Sequence, residues 1–110
     1  MASFVGGPPV TLAGQTWTVV VSAPGAGSQR RVENLHPINL DSVAHVYEGR
    51  LVKAGTPYGF GSVTVQPGQG GDLLSAPLVL AATDESIEVR TAELTSGTES
   101  KVFRSIFEVP

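Results

Sequence analysis

Turn-forming residues interrupt this chain so often that no long helix can be drawn through it. Clusters rich in Gly, Pro, Asn, Asp and Ser stand at 24–28, 39–42, 55–57, 67–72, 83–85 and 96–98. Each supplies the left-handed backbone, fixed φ or local side-chain hydrogen bond that a turn needs. Between them lie seven runs rich in Val, Thr, Ile, Tyr and Phe, at 16–23, 29–38, 43–53, 58–66, 73–80, 86–94 and 101–109. β-branched and aromatic residues suit a pleated, half-buried surface. Run starts recur every 13 to 15 residues, slightly wider than the roughly 8 to 12 of compact sandwiches. The expectation is an all-β domain: a single antiparallel sandwich, or open barrel, of about seven strands. A helix is hardest to exclude at 73–82, but Pro77 falls in its middle and breaks it.

Alternation assigns faces. In the last run Phe103, Phe107 and Val109 share one side with Arg104 and Glu108 interspersed, so that side is expected to pack on the core. Ile87 and Val89 oppose Glu88 and Arg90 in the same way, whereas 16–23 and 73–80 are apolar on both sides and read as central or partner-covered strands. Residues 1–15 contain Gly6, Gly7, Pro8, Pro9 and Gly14, which resist regular structure and favour an extended course. The expected organisation is an extended arm at 1–15 followed by a sandwich domain at 16–110. Phe4, Val5, Val10 and Leu12 make the arm apolar, which suits a segment held against a neighbouring subunit. Deleting residues 2–12 is then expected to leave the domain folded.

The chain's 110 residues fit one domain, which buries roughly 65% of its unfolded surface and needs no covalent staple. Without cysteine it has no disulfide, thiolate zinc site or thiol nucleophile. A formal charge of −3 with scattered basic residues gives no nucleic-acid footprint. No apolar run reaches the length of a membrane helix, and the first residues lack the basic start and apolar stretch of a signal peptide. Charged residues are only 15% of the chain, against roughly 25% in typical domains, which points to a surface partly covered by other subunits.

Candidate chemistry is sparse. His36 and His45 lie on adjacent predicted strands and can approach, but no third His or Cys completes a zinc site. Asp41, Ser42 and His45 are too close in sequence to converge as a triad, and no Gly-x-Ser-x-Gly elbow occurs. Asp41 and Ser42 read more simply as a turn cap after Asn39. Asp84, Glu85 and Glu88 lack the ligand spacing of a calcium loop and read as a solvated hairpin end. The glycines at 70 and 71 read as a turn, because no Gly-Lys-Ser/Thr follows to hold phosphate. Trp17, Tyr47, Tyr58 and Phe60 are the residues from which a sugar-stacking platform would be built. No catalytic, cofactor or metal site is expected.

The run at 31–47, with Leu35, His36 and Asn39 in order, is followed by Pro77-Leu78-Val79-Leu80 and the acidic turn Thr83-Asp84-Glu85. This order, over roughly residues 29–94, resembles small β-sandwich virion proteins of tailed bacteriophages. Pro37 departs from the pattern and puts regular pairing there in question. The resemblance implies a non-enzymatic part of a virus particle, assembled in the host bacterial cytoplasm. A capsid decoration (cement) protein is the first reading and a neck or tail protein the second. Its partners would be the major capsid protein or other virion proteins, and further copies of itself, with a trimer as a plausible unit. A carbohydrate-binding module is the alternative of another class, expecting exposed Trp17 and Tyr58. The interface candidates are Phe4, Val5, Val10 and Leu12, with Arg30 and Arg31 facing acidic capsid loops.

Overall fold

The computed structural model describes residues 3–92 and 100–110. The turn expected at 96–98, and the end of the expected strand 86–94, lie outside them. The described residues form nine strands and no helix: β1 (Ser3–Phe4), β2 (Val10–Thr11), β3 (Thr18–Val21), β4 (Gln29–Asn39), β5 (His45–Lys53), β6 (Thr56–Val65), β7 (Leu78–Leu80), β8 (Glu85–Thr91) and β9 (Ser100–Val109). They build two antiparallel sheets packed face to face. The first has the order β1-β9-β4-β7, with β2 further along the same edge of β9; the second has the order β3-β8-β5-β6. The β-sandwich is therefore as expected, with two short strands contributed by the arm.

That contribution corrects the boundary at residue 15. Ser3 and Phe4 pair with Glu108 and Phe107, and Val10 and Thr11 pair with Val102 and Lys101. The ladder breaks only at 6–9, where two prolines lack N–H groups. Leu12 is 2% exposed and belongs to the core, and Val5 and Val10 pack against it. The segment is an edge of its own domain's first sheet. Arg104 holds the broken stretch, its Nη1 donating to the Val20 carbonyl (2.8 Å) and its Nη2 reaching the Pro8 carbonyl (3.4 Å).

The core lies between the sheets: Val32, Leu35, Leu80, Val102 and Ile106 from one, Val20, Val21, Tyr47, Val65, Ile87 and Val89 from the other, with Leu12 and Leu73 from connecting segments. Tyr47 is fully buried, and its hydroxyl is 2.8 Å from Ser100 Oγ, as a buried phenol requires. Both strands expected to be central or partner-covered are edges of their sheets, which rules out the central position. In β3 a bulge between Val19 and Val21 turns Val20 and Val21 alike into the core, so the run is apolar without alternating. Only Leu78–Leu80 of 73–80 is a strand, and it alternates, with Val79 outward and Leu80 buried.

Pro37 sits opposite Val102 inside the regular Asn34–Asn39 stretch of the β4–β9 pairing, beyond a bulge between Val32 and Asn34. Its carbonyl accepts from Gly71 N, and Leu35 O and Asn39 N likewise bond to residues 73 and 69. Main-chain groups of alternate residues face the same side, so the missing N–H of Pro37 faces the 69–73 segment and costs the β9 ladder nothing. Gly70 lies so close to His36 that a Cβ there would meet the imidazole Nε2 at 2.4 Å. Gly70 and Gly71 therefore run alongside β4, and the turn lies just before them at Gly68, whose φ is +72°.

Candidate interface on the outer face of the first sheet

β9 takes the opposite orientation to the one its sequence suggests. Val102 and Ile106 point inward, with Val102 fully buried, while Phe103 is 45% exposed. Register explains this: Val102, Arg104 and Ile106 pair with Pro37, Leu35 and Val32, which already face the core, and a one-residue shift would move every side chain to the other face. Phe103 and Phe107, expected in the core, lie outside it.

Pairing then sets a row across the sheet. Phe4 pairs with Phe107, Phe107 with Arg31, and Arg31 with Val79. Directly paired residues share a face, so all four lie on the outer surface. Phe4 and Val79 are 59% and 51% exposed. The Phe4 and Phe107 rings meet edge to face at 5.6 Å. Further along the same face Phe103 pairs with His36 and Lys101 with Ile38. Arg31 bonds Glu33 at 2.7 Å, and His36 Nδ1 lies 3.0 Å from Asp72 Oδ1. The result is an apolar, three-phenylalanine surface with balanced charge. Single exposed apolar residues are ordinary, but several on one sheet face make a candidate interaction surface.

Of the six interface residues taken from sequence, Phe4 and Arg31 lie on this face. Leu12 is buried in the core, and Val5 and Val10 are half-buried against it. Arg30 turns inward, paired with Glu108 at 3.1 Å and hydrogen-bonded to Ser22, so it is already engaged. Phe103, Phe107 and Val79 were missed because the row exists only once four strands are in register.

The remaining candidates separate. His36 and His45 lie on strands of different sheets, each with its own aspartate: His36 with Asp72, His45 with Asp41 at 2.8 Å. No group of three metal-binding side chains occurs among the described residues. Asp41 and His45 do meet, but Ser42 Oγ lies 3.5 Å from the Asp41 carboxylate and its backbone N donates to the same oxygen. Asn39 Oδ1 accepts from Asp41 N, two residues onward, so the cluster caps a turn as expected. Hydrogen bonding from His45, then from the Ser42 backbone, holds the Asp41 carboxyl below its usual value.

Glu85 is not part of a solvated hairpin end: it is buried and accepts from the Ala81 and Ala82 amides. The four rings proposed for sugar stacking do not share a face. Tyr47 is buried, Phe60 packs on the core, and Tyr58 is exposed at the Ala54–Gly55 end of its hairpin. The Arg50 and Arg90 guanidinium groups lie over the Trp17 ring at 4.1 and 4.5 Å, and the same arginines bond Glu88 and Glu48.

The chain matches no protein-family model, no curated protein and no solved structure. The outer face is thus read on its own geometry.

Proposed function

We propose that this chain is a non-enzymatic structural protein of a virus particle that docks on its neighbours through the outer face of the first sheet. The observation that carries the reading is the outward row Phe4, Phe107, Arg31 and Val79, continued by Phe103, with Phe4, Val79 and Phe103 exposed and Phe107 half-buried. These rings contribute little to the chain's own core, and covering them with a partner removes apolar surface from water at roughly 25 cal/mol per Å². The low charge content and the resemblance to phage β-sandwich virion proteins support the same reading. The partner is the major capsid protein in a decoration role, or another virion protein in a neck or tail role. Assembly would take place in the host bacterial cytoplasm.

The test uses purified particles of the virus that encodes the chain. Mass spectrometry is expected to find the chain in them, at high copy number for decoration or low copy number for neck or tail. A Phe4→Ser/Phe103→Ser double variant should lose most of its occupancy while its stability stays within about 1 kcal/mol, as surface changes usually do. Particles lacking the chain would refute the assignment; full occupancy of a stably folded double variant would refute the docking face.

A further inference from the structure

The two sheets leave one long strand edge beside a groove. β3 has four residues and a bulge, β7 has three residues, and the arm edge is cut into two-residue pieces. Short, bulged or interrupted edges resist pairing with other chains. β6 has ten residues, carries no charged side chain and is exposed along most of its length. It has two protective devices, Pro57 and a bulge that places Gly59 and Phe60 against Arg50, and both lie in its first half.

The second half is open. Lys53 and Thr56 flank the two-residue turn Ala54–Gly55, whose φ values are both positive; such a turn makes the flanking residues a mutually hydrogen-bonded pair. The main-chain groups of 45, 47, 49, 51 and 53 therefore face β6, and Val46, whose carbonyl accepts from Ala92 N, faces β8. The partners of 45, 47 and 49 on β6 are Val65, Val63 and Gly61, so Ser62 and Thr64 direct their N–H and C=O groups toward the free edge. No backbone hydrogen bond to these outward groups occurs among the described residues. Beside this edge lies a groove of about 720 Å³ between Phe60–Ser62 and the segment 72–78. Phe60, Leu73, Leu74 and Leu78 in its lining all belong to the core or pack on it.

We propose that this groove accepts one extended, uncharged segment of a partner chain, added as a fifth strand to the second sheet. The occupant follows from two features. Outward main-chain groups at alternate residues match another extended backbone, and the mixed lining, Ser62 and Ser75 beside Phe60, Leu74 and Leu78, takes small uncharged side chains along it. The one charged lining residue, Asp72, is already paired with His36, so an uncharged segment suits the groove. A second copy offering its own β6 is disfavoured, because the 72–78 wall that admits a single strand obstructs a whole sandwich. The site is separate from the outer face of the first sheet and does not depend on that reading.

The probe is a capped heptapeptide alternating threonine and valine, titrated into the ¹⁵N-labelled full chain to millimolar concentration, with an isomeric peptide carrying D-residues at alternate positions as control. The Ser62 and Thr64 amides are expected to shift and to exchange with solvent at least tenfold more slowly with the L-peptide alone. Ser62→Pro, which removes an outward donor, should weaken the peptide at least fivefold; Ser75→Arg, placed at the rim away from the ladder, should do the same if the proline variant fails to fold. Unchanged Ser62 and Thr64 amides at saturating peptide would overturn the proposal. So would equal response to the D-containing control, or shifts of these amides with protein concentration in the absence of peptide, the sign of a second copy.

Discussion

Asp41 accepts from His45 and from the Ser42 backbone, and Asn39 anchors the same turn by donating to the Val43 and Val65 carbonyls. Because the carboxyl is held below its usual value near 3.8, the folded state binds its proton less tightly than the unfolded chain does. Its contribution to stability is therefore complete above about pH 5 and is lost as pH falls through 3.8 and then the depressed value. Thermal unfolding of the native chain and an Asp41→Asn variant should show a Tm gap at pH 6 that narrows steadily toward pH 2. A gap independent of pH would mean that the carboxylate charge plays no part. The turn chemistry was legible because Asn, Asp and Ser act on backbone within a few residues. The buried cap made by Glu85 was not: a carboxylate beside Asp84 in a polar turn gives no local sign that it folds back on two amides.

At the scale of strands, the positions of β4, β5, β6, β8 and β9 follow from composition and turn spacing to within a few residues. Faces were harder to read. β9 carries apolar residues on both sides, so its own pattern favours the larger phenylalanines as core, and only pairing with β4 decides for Val102 and Ile106. The same dependence hid most of the candidate interface, since Phe4, Arg31 and Val79 become neighbours only through register. Gly49 is another position whose role is set across strands. A Cβ there would meet the Phe60 ring at 2.5 Å and Leu73 at 2.9 Å, because the β6 bulge brings Phe60 over it. Gly49→Ala is expected to cost about 1–3 kcal/mol through overpacking, and Gly49→Ala/Phe60→Leu should recover part of it. Denaturant unfolding of the two variants measures both values; an unchanged midpoint for the single variant would show that the ring moves aside freely.

For the whole molecule, the arm changes what a truncation means. Removing residues 3–12 strips Leu12 from the core, uncovers the edge of β9 and leaves Arg104 without its Pro8 contact. Leu12 alone is worth about 2–5 kcal/mol by analogy with buried leucine truncations, a large share of the roughly 5–15 kcal/mol that stabilises a domain. The truncated chain should therefore fail to give a cooperative thermal transition; a native-like one would return the arm to the status of an appendage. Interface tests are better made with outward substitutions such as those at Phe4 and Phe103.

β9 lies between the arm and β4, bonded to both, and Ser3 stands opposite Glu108. The arm, made before every other strand of the sandwich, thus waits for β9, the last of them, before either can be seated. Until then the apolar arm and the long edge of β4 are exposed together in one nascent chain, a state open to pairing with other chains. With so much pairing between sequence-distant strands, the domain should fold slowly for its size, and only once β9 has been made.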